Sequence, residues 1–246
     1  MSQRVLIIGA TSAIAEAVAR RYAAEGATLF LAARNTGRAA AIADDLRVRG
    51  ARAVQVGAYD ATVTDNADAL VATAWEALGG IDVALIAHGT LPDQAACAAS
   101  AVLTRQALVV NLLSVIDVLI PLANRMESAG HGTLAVIGSV AGDRGRQSNT
   151  VYGTAKGGLA IFLQGLAHRL APAGVRVLIV KPGFVDTPMT AAFPKSALWA
   201  SPATVARDLH RAIARGQRVL YTPWFWRWIM LIIRLIPTAL FHRTRL

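Results

Sequence analysis

Cysteine is nearly absent: Cys97 stands alone in 246 residues. No intrachain disulfide can form, and a reducing compartment fits. Acidic residues are also scarce. Fifteen Asp and Glu face 25 Lys and Arg, which leaves a formal net charge of +10. Such a balance is met by nucleic acid, anionic lipid or anionic ligands. The arginines concentrate late, at Arg207, Arg211, Arg215, Arg218, Arg227, Arg234, Arg243 and Arg245. No nucleic-acid motif accompanies them and their neighbours are strongly apolar, which favours a membrane surface or a lipid phosphate over DNA or RNA. Charged residues make up only 16% of the chain, whereas 54% are hydrophobic. That surplus suits strands buried on both faces, or contact with lipid. No metal site is expected.

What is present alternates. One Arg precedes an apolar run at the N-terminus, as in a signal peptide, but a glycine turn and a charged helix follow, so residues 4–10 read as a first strand rather than an address. An Ala-rich helix follows and stops at Gly26. Further strands are predicted over residues 28–34, 51–60, 81–89, 132–139, 175–183 and 218–221. Helices are predicted over 38–49, 64–78, 104–126, 152–170 and 201–215. Strands alternating with helices imply a parallel sheet covered on both faces, and right-handed crossovers make it a doubly wound, Rossmann-type α/β fold of about seven strands. Linker-like composition and internal repeats are both lacking, so one dinucleotide-binding domain is expected over residues 1–221, with a basic hydrophobic tail over 222–246.

Ser139 closes the apolar run LAVIGS, and Tyr152 opens a helix thirteen residues later. Lys156 follows Tyr152 by four, so one helical turn stacks the ammonium beside the phenol. A hydroxyl at a strand end that faces a phenol and an ammonium can polarise a carbonyl and give it a proton. A free tyrosine, at about 10, is too weak an acid for this near neutrality. An ammonium at ~4 Å in an effective dielectric near 20 is worth about 4 kcal/mol, enough to bring Tyr152 near 7. Gly9 to Ala15 lies between the first strand and the first helix, where a turn can aim backbone N–H groups at a pyrophosphate. Arg34 ends the second strand, where an acid binds the 2′-hydroxyl of NAD. Arginine there suits the 2′-phosphate of NADP, and Arg38 can assist; a solvated loop arginine is the plainer alternative.

This set of motifs resembles the short-chain dehydrogenase/reductase family, which moves a hydride between a nicotinamide cofactor and a carbonyl or alcohol. The resemblance covers about residues 4–190. It implies that Ser139, Tyr152 and Lys156 are catalytic, that Lys156 also holds the nicotinamide ribose, and that Asn111 on the long preceding helix holds a water that completes a proton relay. It implies a cofactor site of Gly9, Thr11, Ser12, Ile14, Arg34, Asp60, Ala87, Gly89, Tyr152, Lys156, Pro182, Gly183, Val185 and Thr187, with NADP(H) preferred and NAD(H) as the alternative. Two departures stand out. The family's second and third turn glycines are Ala13 and Ala15 here, and His88 enters the family's Asn-Ala-Gly position, read as a structural residue. Asp60 is open between an adenine contact and a helix-capping role near Thr62 and Thr64. A homodimer or homotetramer through the helices of Asn111 and Tyr152 is implied as well.

Substrate choice in the family rests mainly on the loop after the sixth strand, here 186–200. Met189, Phe193, Leu198 and Trp199 with Lys195 make an apolar lid carrying one cation, which suits a long or greasy carbonyl substrate or simply lid packing. In the tail, Arg227, Arg234 and Pro237 interrupt every apolar run before the ~18 residues that span a bilayer. Drawn as a helix, it puts Phe225, Ile229, Ile232 and Ile236 on one face and Arg227 and Arg234 opposite. With Trp224, Trp226 and Trp228 it reads as an interfacial anchor on the inner face of a membrane, or else as a buried oligomer contact. The GATS turn, the GSVAG and VYGTAKGGL segments and the basic end also resemble the decaprenylphosphoryl-2-keto-ribose reductases. The expected function is an NAD(P)-dependent carbonyl reductase or alcohol dehydrogenase acting on an apolar or lipid-linked ketone. The alternatives are a 3-ketoacyl or keto-sphingoid lipid reductase and, in another class, a low-turnover cofactor-binding regulator.

Overall fold

A computed structural model describes residues 2–63 and 66–244. Thr64, where the third helix was expected to begin, and Arg245 of the basic tail lie outside the described residues. Seven strands, β1 (Arg4–Ile8), β2 (Thr28–Ala33), β3 (Ala53–Ala58), β4 (Val83–Ile86), β5 (Thr133–Ile137), β6 (Arg176–Pro182) and β7 (Val219–Thr222), form one sheet in the order β3-β2-β1-β4-β5-β6-β7. Every pairing is parallel. The order reverses between β1 and β4, and that switch point opens a crevice beyond the carboxyl ends of the strands.

The strands read as continuous apolar runs because both faces are covered. In β1, Leu6 and Ile8 enter the core beneath α3 (Ala67–Leu78), α6 (Ser114–Ala129) and α7 (Thr150–Leu170), whereas Val5 and Ile7 enter the opposite core beneath α1 (Ala13–Ala24), α2 (Thr36–Val48) and α8 (Pro202–Ala214). Val177 and Ile179 of β6 alternate with Leu178 and Val180 in the same way. Period-two alternation along a strand thus serves two cores at once.

The expected boundaries hold to within a few residues, with one larger correction. The single long helix drawn over 104–126 is a broken run: a short α4 (Gln94–Ala99), α5 (Ala101–Leu108), a π-helical turn at Val109–Leu113, and then α6. From Ala101 to Ala129 the run is long and apolar enough to cross a bilayer by length and composition. Half of its most apolar window is buried inside the domain, where Val115, Val118, Leu119, Leu122 and Met126 fill the core.

The tail forms α9 (Trp226–Leu235) and α10 (Thr238–Phe241), with Pro237 between them. Its inward face differs from the one drawn from sequence. Trp226 and Met230 are the buried residues, joined by half-buried Phe225, Ile229 and Ile233 against Val140 and Tyr221, while Ile232 is exposed. Of the three tail tryptophans, Trp226 is therefore a packing residue, and Trp224 and Trp228 face solvent.

Candidate active site

Two glycine contacts bring the reaction centre together. Ser139 leaves β5 and the chain turns back at once, so that Gly142 lies against α7. A Cβ on Gly142 would stand 2.6 Å from the carbonyl carbon of Lys156, and one on Gly157 would stand 3.1 Å from the carbonyl oxygen of Gly142. Only backbone fits there, so the Ser139 strand end is pressed onto the helix carrying Tyr152 and Lys156. Ser139 Oγ accepts from the N–H of Ala141 at 3.1 Å, which fixes the oxygen and leaves its proton to donate.

Lys156 is buried, and its Nζ donates to the carbonyl of Ile137 at 3.0 Å. The ammonium stands 5.8 Å from the centre of the Tyr152 ring. Burial pushes Lys156 down to about 8. Tyr152 moves the other way from the sequence expectation: burial pushes its phenol up to about 12, and hydrogen bonding with Ser139 offsets only part of the rise. The value near 7 assumed an ammonium hard against the phenol with no desolvation cost. In the folded chain the half-buried phenol loses part of its hydration, and desolvation of its anion is the larger cause.

Asn111 sits in the π turn and is fully buried. Its Oδ1 accepts from the N–H of Thr90 at 3.0 Å, and its Nδ2 donates to the carbonyl of Ala107 at 3.0 Å and to Thr90 Oγ1 at 3.3 Å. Three hydrogen bonds to protein thus fix the side chain, and Oδ1 keeps a second lone pair. His88 is half-buried and held by Ser114 Oγ at 3.0 Å, with its ring edge-on to Tyr59. Burial, then the nearby Lys156 charge, lowers it to about 3, so it is a neutral structural imidazole.

The crevice is a cleft of about 620 Å³, within the range of cofactor sites. Gly9, Thr11, Ser12, Ala13 and Ile14 line it from the β1–α1 turn and the start of α1, Arg34 from the end of β2, Arg38 from the first turn of α2, Asp60 from the end of β3, and Ala87, His88 and Gly89 from the end of β4. Asn111, Ser139, Tyr152 and Lys156 line it beside Pro182, Gly183, Val185 and Thr187. Every site residue named from sequence therefore faces one cavity. Met189 of the expected lid also lines it, and pattern reading missed Thr90; the hydrogen bond of Thr90 to Asn111 is made in a π turn that has no signature in the sequence.

A dinucleotide fits this lining. Gly9 has φ +79°, and a Cβ there would lie 2.5 Å from the backbone N of His88, so the turn packs flush against the end of β4. Ser12 caps α1 by position, but its side chain takes none of the first-turn N–H groups, which remain open to an anion. Asp60 Oδ1 accepts from the N–H and the hydroxyl of Thr62, at 2.9 and 2.8 Å. Those two bonds, with the Arg34 charge a smaller cause, hold its carboxyl below the usual range. Asp60 thus braces its own loop while lining the cleft. Thr187 is set by Thr190, whose hydroxyl accepts from the Thr187 N–H at 3.2 Å and donates to the Val185 carbonyl at 2.6 Å. The lid cation Lys195 is paired with Asp186 at 2.8 Å in the open and so is not a free charge over the cleft.

Comparison with known proteins agrees with this geometry. The short chain dehydrogenase family model matches residues 3–197. An uncharacterized oxidoreductase of Mycobacterium tuberculosis is 40% identical over 239 residues, covering 97% of this chain and 96% of the relative. A short-chain dehydrogenase from Sphingobium yanoikuyae in complex with NADPH superposes with a TM-score of 0.82 at 24% identity, covering 96% of this chain and 97% of that one. An actinorhodin polyketide ketoreductase variant with NADPH does so with a TM-score of 0.80 at 25% identity, covering 91% and 97%. With the strand-end serine, the Tyr–Lys helix and the glycine turn around one crevice, the chain belongs to the short-chain dehydrogenases, the NAD(P)-dependent oxidoreductases of this fold.

Proposed function

We propose that the protein is an NADPH-preferring carbonyl reductase for apolar ketones, running in reverse as an alcohol dehydrogenase. The observation that carries this reading is the convergence of the Ser139 hydroxyl and the Tyr152 phenol on the cleft wall that also holds Pro182 and Gly183. A bound reduced nicotinamide supplies the hydride. Ser139 donates a hydrogen bond to the carbonyl oxygen and stabilises its developing charge. Tyr152 gives that oxygen a proton. Burial keeps the phenol protonated in the resting site, and the Lys156 ammonium steadies the phenolate left when the proton is given up. With Asn111 held by its hydrogen bonds, a water beside it completes a proton relay to Lys156.

Preference for NADPH is supported by Arg34 after β2 and Arg38 in the first turn of α2, two cations that suit a 2′-phosphate. The actinorhodin ketoreductase was solved with NADPH, which supports the same cofactor here. An apolar substrate is supported by Met189 on the cleft wall and by the exposed Phe184, Phe193 and Leu198 beside it. Within that class, a lipid-linked ketone such as a polyprenylphosphoryl keto-sugar suits a basic tail at the inner face of a membrane. Exposed Leu113 and Ile120 on the Asn111 run and Ile161 on α7 favour a homodimer or homotetramer through those helices. NADPH oxidation against a panel of ketones, from short soluble ones to 3-ketoacyl and polyprenyl-linked ones, tests the reading. Turnover rising with apolar bulk is expected. NADPH binding without turnover of any member would favour the regulator reading, for which Ala13 and Ala15 in the turn speak.

A further inference from the structure

We propose that the outer face of the C-terminal segment and the rim of the cleft form one surface that rests on an anionic lipid bilayer, so that a ketone carried in the lipid reaches Tyr152 from the bilayer. The entry route rests on the carbonyl-reductase reading; the lipid surface does not.

The segment is apolar on two sides. Trp226 and Met230 face the protein, and on the outside Trp224, Trp228, Leu231, Ile232, Leu235 and Leu240 are all exposed, Trp224 and Leu235 each at 72%. Together these six leave on the order of 600 Å² of apolar surface in one stretch of chain, at the upper end of what a monomer shows to water. The patch is held firmly. Arg144, five residues beyond Ser139, donates to the carbonyls of Ile233, Arg234 and Ile236, closing the end of α9, and its guanidinium lies 3.8 Å over the Phe241 ring.

Charge selects the occupant. From residue 222 to 246 the chain has no Asp or Glu, while Arg227, Arg234 and Arg243 are exposed. A second copy meeting this face about a two-fold axis sets arginine against arginine with no acid from the segment to compensate. An anionic headgroup layer neutralises them, and exposed Trp224 and Trp228 suit its boundary with the acyl chains.

The segment meets the cleft rim through its inward-facing Trp226. Phe184 stacks on Trp199 with ring centres 5.4 Å apart and meets the edge of Trp226 at 5.3 Å. Gly183, which lines the cleft, lies flush against the Trp226 indole, and a Cβ there would fall inside the ring. Half-exposed Phe184 and Met189 complete an apolar rim from α9 to the cleft wall.

The test uses the full chain and two kinds of vesicle, phosphatidylglycerol and phosphatidylcholine. Wild type is expected to float with phosphatidylglycerol, and the double change Trp228→Glu with Ile232→Glu to weaken flotation at least about tenfold. Changing Arg227→Gln with Arg234→Gln is expected to weaken it at low salt. Reduction of a soluble ketone is expected to stay at the wild-type rate in both variants, while reduction of a long-chain ketone dissolved in the vesicles falls with binding. Equal flotation with both lipids, flotation unchanged by the two glutamates, or a lipid-free dimer that those glutamates dissociate would overturn the lipid surface. Vesicle-borne ketone reduced at the wild-type rate by a variant that no longer floats would overturn the entry route alone. Flotation as expected with no ketone reduced under any condition would remove the carbonyl-reductase reading and leave the lipid surface standing.

Discussion

The two rims of the cleft are built by opposite means. The rim over β1 to β4 is made of backbone and small residues: Gly9 flush against His88, open N–H groups at the start of α1, and Gly89 with its Cβ position 2.8 Å from Asn111 Oδ1. The rim beyond β6 is made of large side chains, with Phe184 between Trp199 and Trp226 and a tail latched by Arg144. A cofactor common to many enzymes can be met by a fixed backbone cradle. A substrate particular to one enzyme is met by side chains, which change without disturbing the sheet. On the proposed reading, the first rim answers for binding a dinucleotide, and the second for which carbonyl arrives and from where.

The largest effect expected on this contrast lies between the rims. Tyr152→Phe removes the proton donor and is expected to lower turnover ~100- to 10,000-fold, while NADPH quenching of tryptophan fluorescence persists. Loss of NADPH binding to the same degree would tie the phenol to the cradle instead.

On the first rim, Arg34→Asp is expected to cost NADPH affinity tenfold to a hundredfold, roughly the worth of one charge-assisted hydrogen bond, and to leave NADH affinity equal or better. Titration with both cofactors separates the outcomes; a parallel loss for NADH would mean that Arg34 braces the fold rather than reading the 2′-phosphate.

On the second rim, Asp143 accepts from Lys181 at 2.5 Å and from the Tyr221 hydroxyl at 2.7 Å, with both members of the ion pair largely buried. This pair ties the chain after Ser139 to β6 and β7 behind the tail. Asp143→Ala strands the Lys181 charge and is expected to cost about 3 kcal/mol, a fall in Tm of roughly 6–12 °C for a domain of this size. A change under 2 °C would show that the tail is held without it.

A smaller effect concerns pH. Burial holds Lys156 at about 8 against an ordinary 10.5. Between those values the unfolded chain binds more protons at this site than the folded one, so this group adds stability as pH rises from about 8 to 10.5 and opposes folding in full below 8. Lys156→Met lacks the slope. Its Tm relative to wild type is expected to be highest at pH 7 and to decline across that window, the comparison cancelling the buried tyrosines, which weaken folding above 10. A difference independent of pH would show that Lys156 titrates normally.

The first rim was legible in the sequence because backbone geometry leaves marks there. An apolar run ending in Gly9, a Ser139 at a strand end and a Tyr–Lys pair one helical turn apart each follow from local periodicity. The second rim was legible in composition but not in orientation. The tail's apolar and basic character could be read, yet which of Trp226 and Ile232 turns inward is decided by Val140 and Tyr221, far away in the chain. The phenol's acidity was misjudged for a related reason: the spacing of Tyr152 and Lys156 gives their proximity, whereas desolvation depends on everything packed around them. The π turn at Asn111 had no local mark, since the apolar pattern runs through it unbroken.

In the proposed reaction the cleft brings a reduced nicotinamide and a protonated Tyr152 to the same carbonyl. NADPH carrying deuterium at the transferable C4 position tests it directly. The label is expected on the carbinol carbon of the product with wild type, and not within the same time with Tyr152→Phe. NADPH that binds but passes no label to any ketone, or label that passes equally fast without the phenol, would contradict it.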